Sequence, residues 1–269
     1  MSGVWRPERR NKNTGTKVSG YSKSNDMRIP ESWLDKHGVC SFYYERLGQS
    51  HETEVTIAGF QLRLLYESPL DGFTYGCSPA DVIYLLTLAA EFCPAFPDII
   101  VFRQPTRKQL QQTPVWGRFI YASDFGKHQG TAIVIEAQKL GGLLKISKRM
   151  TLEARSEYKR LVDDGHKFIE KKRHFQASMC EDAIRNTKLY RTFLHEMGHL
   201  ADYRQKVLDD RTALNPDQEV ANEFYFSRPA SEREVFAHSF AENVSQRLRS
   251  IGVIPFEPLP FDKSDFVGN

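Results

Sequence analysis

The sequence predicts an α+β fold, and three observations carry that expectation. Val55–Tyr66 contains the period-two alternation Phe60, Leu62, Leu64, Tyr66, which suits a strand with one buried face. Ser78-Pro79-Ala80-Asp81 opens a mostly apolar stretch with a Ser cap, a Pro in the first turn and an acid at the third position, as helix starts do. Further on, Thr192-Phe193-Leu194-His195-Glu196-Met197-Gly198-His199-Leu200 sets H-E-x-x-H in a segment whose other residues are uncharged, the pattern of a buried metal-binding helix.

Taken in order, residues 1–30 are rich in Ser, Gly, Asn, Lys and Arg without periodicity and read as a disordered basic arm, either solubilising or used for docking. Aromatic content rises from Pro30, so a single folded domain is expected over 31–269. After the strand ending at Tyr66, the capped helix is expected to run from Pro79 to about Phe92, ended by Pro94 and Pro97. Strands are expected at Asp98–Phe102, Gly117–Ala122 and Thr131–Ala137. The last, with its run Ala132-Ile133-Val134-Ile135, is either a plain interior strand or the one that holds an extended substrate by main-chain pairing. Thr151–Gln176 is heavily charged around Tyr158, Leu161, Phe168 and Ile169 and reads as a solvated helix or helical pair, with His166 and His174 on its surface. A helix from Met179–Glu181 is expected to carry the metal motif to about Tyr203, and a further helix is expected over Ser231–Glu242.

Charge and cysteine usage narrow the function. The chain carries a net +3, but residues 1–25 alone hold +5, so the rest is slightly acidic. That balance excludes the concentrated basic face of a nucleic-acid-binding body. Cys40, Cys77, Cys93 and Cys180 are scattered without a C-x-x-C pair, so buried free thiols are expected rather than a disulfide scaffold. The longest apolar run falls short of a membrane span, and no signal peptide is visible. A cytoplasmic protein, or one exported by a leaderless route into a target cell, fits these features.

The motif's spacing has a geometric reason. Residues four apart on a helix project from one face, so His195 and His199 can aim at one ion, with Glu196 rotated toward a water beside it. The competing reading is a structural helix with two incidental histidines. A catalytic zinc site needs a third protein ligand and an open fourth position. On the Ser231–Glu242 helix, Glu234, Ala237, His238 and Ala241 share one face, and the alanines permit close approach to the first helix. His238 is the alternative third ligand, and Asp202 can accept a hydrogen bond from a ligand imidazole. Asp202 and Gln205 stand where the H-E-x-x-H-x-x-G-x-x-H pattern requires Gly and His, so that pattern is rejected.

H-E-x-x-H followed by E-x-F-A-x-x-F, with Glu234, Phe236, Ala237 and Phe240, resembles the Glu-ligand zincins, in particular the family of the anthrax lethal factor catalytic domain. The resemblance spans about Asn186 to Arg249. It implies a zincin-like metallopeptidase: a small mixed sheet, the H-E-x-x-H helix, and a following helix that brings Glu234 as third zinc ligand. The family often has a glutamate where this chain has His238. It also has a tyrosine shortly before the third ligand that stabilises the transition state. Ser227 stands seven residues before Glu234, and Tyr225 is the nearest tyrosine for that role.

The expectation is therefore a zinc endopeptidase acting on a protein or peptide substrate. Zn2+ sits on His195, His199 and Glu234, and Glu196 is the general base. Its competitor is a zincin-fold binding or regulatory module with structural zinc and little hydrolysis. A third reading is an immunity or assembly factor recruited through the arm.

Overall fold

The computed structural model describes residues 32–34, 40–92, 95–112, 114–208 and 217–261. The chain forms two compact units, Met1–Tyr44 with Thr106–Pro114, and Glu45–Pro105 with Val115–Asn269. In the smaller unit, Ser32–Leu34 and Cys40–Phe42 pair antiparallel. The helix Arg107–Gln112 is tied down where Gln109 donates from Nε2 to the Tyr43 carbonyl at 3.3 Å. The basic arm expected over residues 1–30 lies outside the described residues.

The larger unit is mixed α and β and is built on a five-stranded mixed sheet. β1 (Ser50–Ile57) and β2 (Phe60–Glu67) form a hairpin. Its two-residue turn, Ala58-Gly59, has φ of 50° and 83°, the backbone that matches strand twist at such a turn. Helix α1 (Pro79–Ala89) starts with the expected capping box, Ser78 accepting from the Asp81 amide and Asp81 accepting from the Ser78 amide. It carries the chain over to β3 (Ile99–Arg103), which pairs parallel to β2 and is buried at every residue. β4 (Gly117–Phe125) and β5 (His128–Glu136) form a second hairpin, and the sheet order is β1-β2-β3-β5-β4. Ala132, Ile133 and Val134 on β5 have no exposed surface. Of the two readings of Thr131–Ala137, the interior strand is the one found. β3 and β4 occupy both its edges, so β5 has no free main chain to offer a peptide. The free edge on that side of the sheet belongs to β4.

The charged region departs from its helical reading. α2 (Leu152–Asp163) ends before Gly165, whose φ of +100° suits glycine rather than a continuing helix. Ile169–Glu170 and His174–Ser178 are strands, the latter also pairing with Leu143–Ser147. Phe168 and Phe175 both pack on Tyr158 with centroids 4.9 Å away, so strand pairing covers one narrow apolar stripe and leaves the charges in water. His166 is not on the surface: it is 2% exposed and bonds through Nε2 to Thr187 Oγ1 at 3.0 Å. Cys180 is likewise exposed rather than buried, while Cys77 is partly buried, with burial pushing its thiol up to about 12. Cys93 lies outside the described residues.

The motif-bearing rod starts at Glu181–Arg185, widens into π-helical turns over Asn186–Phe193, and becomes α3 (Leu194–Tyr203). Lys188, in the widened part, is buried. It donates to the Glu136 carbonyl and, at 3.4 Å, to the Thr74 carbonyl, which ties the rod to the end of β5. Burial brings this ammonium down to about 7. Leu189, Phe193 and Met197 on the rod share one core with Leu64, Ile100 and Ile133 of the sheet and Leu86 of α1. α4 (Asp217–Ser227) and α5 (Ala230–Ser250) complete the unit. No described helix is long and apolar enough to cross a membrane.

Candidate metal centre

α3 and α5 cross at Gly198 and Ala237, and this contact brings the histidines of one helix to the glutamate of the other. The Nε2 atoms of His195 and His199 lie 3.1 Å apart. Glu234 places Oε2 at 3.3 Å from His195 Nε2 and Oε1 at 3.5 Å from His199 Nε2. Zinc–ligand distances of about 2.0–2.1 Å in a tetrahedral site put neighbouring ligand atoms about 3.3–3.4 Å from one another. The three separations bracket that value, the two to Glu234 ending on different oxygens of its carboxylate, so the donor set has the spacing a tetrahedral ion would need.

His238 also approaches. Its ring lies 4.3 Å from that of His195, and one of its nitrogens is within 4.8 Å of donor atoms on both His195 and Glu234. His195, Glu234 and His238 thus form a possible ligand group of their own, but the triangle closed by His199 is the tighter one. Burial and the neighbouring His195 and Arg160 push His238 down to about 4, so it is a neutral imidazole near pH 7.

No protein-family model, curated protein or solved structure matches this chain.

Electrostatics separate the two carboxylates of the site. Hydrogen bonds with His195 and His199 hold the Glu234 carboxyl far below the usual range, which keeps it anionic, as a metal ligand must be. Glu196, 8% exposed, is shifted the other way. Burial raises it, against the lowering effects of the two histidines and of a hydrogen bond from the Phe119 amide. That amide belongs to β4 and points away from β5, so Glu196 sits against the strand's free edge.

The outer supports differ from expectation. Nδ1 of both His195 and His199 is buried without a hydrogen-bond partner among the described residues. Asp202 does not orient an imidazole. It is fully buried and pairs with Lys206 and, at 3.3 Å, with Arg228, so it ties the end of α3 to the α4–α5 junction. Glu219, Glu223, Glu232 and Glu242 are exposed, Glu232 pairing with Arg228 at 3.3 Å.

Tyr225 is placed away from the cleft. It is 1% exposed, sits under Tyr121 and Tyr203, and its hydroxyl lies 3.4 Å from that of Tyr121. Tyr121 is the tyrosine that lines the cleft, with Gly117, Arg118 and Phe119 from the same strand. No pattern near the third ligand in sequence points to Tyr121, which lies more than a hundred residues before Glu234. The usable signal was the alternation Gly117, Phe119, Tyr121, which puts all three on one side of a strand.

Proposed function

We propose that this chain is a zinc-dependent endopeptidase of zincin type. One observation carries the reading: the convergence of His195 Nε2, His199 Nε2 and the Glu234 carboxylate, with separations of 3.1 Å between the imidazoles and 3.3 and 3.5 Å to the two carboxylate oxygens, beside the buried carboxyl of Glu196. A structural zinc site does not need that fourth residue.

When bound, zinc supplies Lewis-acid polarisation and a water made acidic near neutral pH. The protein does the rest. His195, His199 and Glu234 would hold the ion at the floor of the cleft. Glu196, its basicity raised by burial, takes the proton of the attacking water and returns it to the leaving amine. Beyond the Phe119 amide, which Glu196 holds, the free edge of β4 offers main-chain groups to an extended peptide lying across the site as an added strand.

The test pairs metal content with turnover. Purified protein should hold about one zinc, and Glu196→Gln should keep that zinc while losing proteolysis of a proteome-derived peptide mixture. Equal cleavage by wild type and Glu196→Gln, or protein that takes up no zinc, overturns the proposal. Stoichiometric zinc without any Glu196-dependent cleavage would favour the binding-module alternative.

A further inference from the structure

We propose that Arg233 selects substrates carrying an acidic side chain near the scissile bond by gripping its carboxylate from the wall of the metal cleft. The inference rests on the peptidase reading and adds a substrate class to it.

Arg233 directly precedes Glu234 on α5, and its side chain lines the same cleft as His195, Glu196 and His199. It is fixed in place from behind. Nη1 donates to the carbonyls of Arg228 at 2.9 Å and Tyr225 at 3.4 Å. The guanidinium lies 5.7 Å from the ring centroids of both Tyr225 and Phe226. Two carbonyls and two aromatic rings set its plane before any substrate arrives.

What is left over points to the ligand. Nε and Nη2 have no hydrogen-bond acceptor among the described residues, and the guanidinium makes no ion pair there. Its neighbour Arg228 is committed elsewhere, to Asp202 and Glu232. The Nε–Nη2 edge is the side of a guanidinium that takes a carboxylate through two parallel bonds. Glu234 faces the two histidines, Glu196 the Phe119 amide, and Arg118 pairs with Glu136 at 3.5 Å, so Arg233 is the charged side chain of the cleft wall with an edge left for a substrate. An acidic peptide complements that wall, and a basic one is repelled by it.

A C-terminal carboxylate would satisfy the same chemistry, so the probes are two pools of fluorescein-labelled random nonapeptides, all C-terminally amidated, with a central Glu or a central Gln. Binding is read by anisotropy on zinc-loaded Glu196→Gln protein, and cleavage is read on the wild type. The Glu pool is expected to bind about tenfold more tightly and to be cleaved with a correspondingly higher kcat/KM. Adding Arg233→Met should bring the Glu-to-Gln ratio close to one, and Arg233→Lys, which keeps the charge without the fork, should fall between.

Arg233 also caps the α4–α5 junction, so thermal midpoint and zinc content are measured on each variant. A purely structural role lowers those values and leaves the ratio alone. If Arg233→Met does not fold, the Lys variant carries the test. Equal handling of the two amidated pools by protein with intact Arg233, or a ratio unchanged in the variants, overturns the proposal; so does a central-Gln pool with free C-termini that alone binds more tightly than its amidated form, because Arg233 would then read the terminal carboxylate. Glu-pool binding without Glu196-dependent cleavage would instead remove the peptidase reading and leave the Arg233 site standing.

Discussion

Gly198 of α3 lies directly against Ala237 of α5: a Cβ on Gly198 would come 2.8 Å from Ala237 Cα and 3.0 Å from its carbonyl oxygen. Both atoms are backbone, so they cannot swing aside as a side-chain tip would. Gly198→Ala is therefore expected to push the helices apart, at about 1–3 kcal/mol in stability. The cost falls on the metal triangle as well, because the same crossing sets the Glu234–histidine distances. Urea unfolding and competitive zinc titration of the variant should both show a loss. Wild-type zinc affinity in Gly198→Ala would show that the crossing does not position the ligands.

Much of this arrangement was legible in the sequence, and the limits have physical reasons. Ser78, Pro79 and Asp81 announce a helix start because capping is a local interaction between residues three apart. The two histidines announce one face of a helix for the same reason. Whether β5 is an edge or an interior strand depends on which strands pair with it, and no local pattern states that. An all-apolar run fits either reading until the partners are known. His166 sits among charged neighbours in sequence, yet its burial comes from Thr187 and Trp116, far along the chain. Tyr225 is the tyrosine nearest Glu234 in sequence, but its position on α4 turns it under Tyr121.

His166 gives the fold a measurable acid sensitivity. Thr187 Oγ1 donates to Asp164, so it accepts from His166 Nε2, and the buried Nδ1 is left without a partner. A proton added at Nδ1 would be a buried, unpaired charge. Burial, reinforced by Arg191, accordingly brings this imidazole down from 6.5 to about 4. Between those values the unfolded chain takes up a proton that the native state refuses. Stability should therefore fall as the pH drops from about 6.5 to about 4 and gain no further slope from this residue below that. His238, shifted in the same direction, adds to the trend, so the comparison with His166→Gln is the decisive one. That variant keeps a donor for Thr187 and should flatten the pH dependence of the urea-derived unfolding free energy, by at most about 3 kcal/mol over the window. Identical pH profiles for the two proteins would refute the assignment.

The tyrosine pair separates support from chemistry. Tyr121 stands on β4 in the cleft wall, while Tyr225 is buried behind it, with the two hydroxyls 3.4 Å apart. Only the first has a path to a bound peptide. Under the peptidase reading, a phenol at the cleft can donate to the oxygen that becomes negative during attack, and loss of one such donor costs about 10²–10³ in kcat where it acts fully. Tyr121 shares its hydroxyl with Tyr225, so a fall of about 10–100-fold is expected for Tyr121→Phe, with KM little changed. Tyr225→Phe should behave differently. It removes a buried hydroxyl that also bonds Asp202, and is expected to lower stability by about 1 kcal/mol with a much smaller loss in kcat. Steady-state kinetics and thermal unfolding of both variants distinguish the roles. A larger kcat defect in Tyr225→Phe than in Tyr121→Phe would return the transition-state role to Tyr225 and make Tyr121 its support.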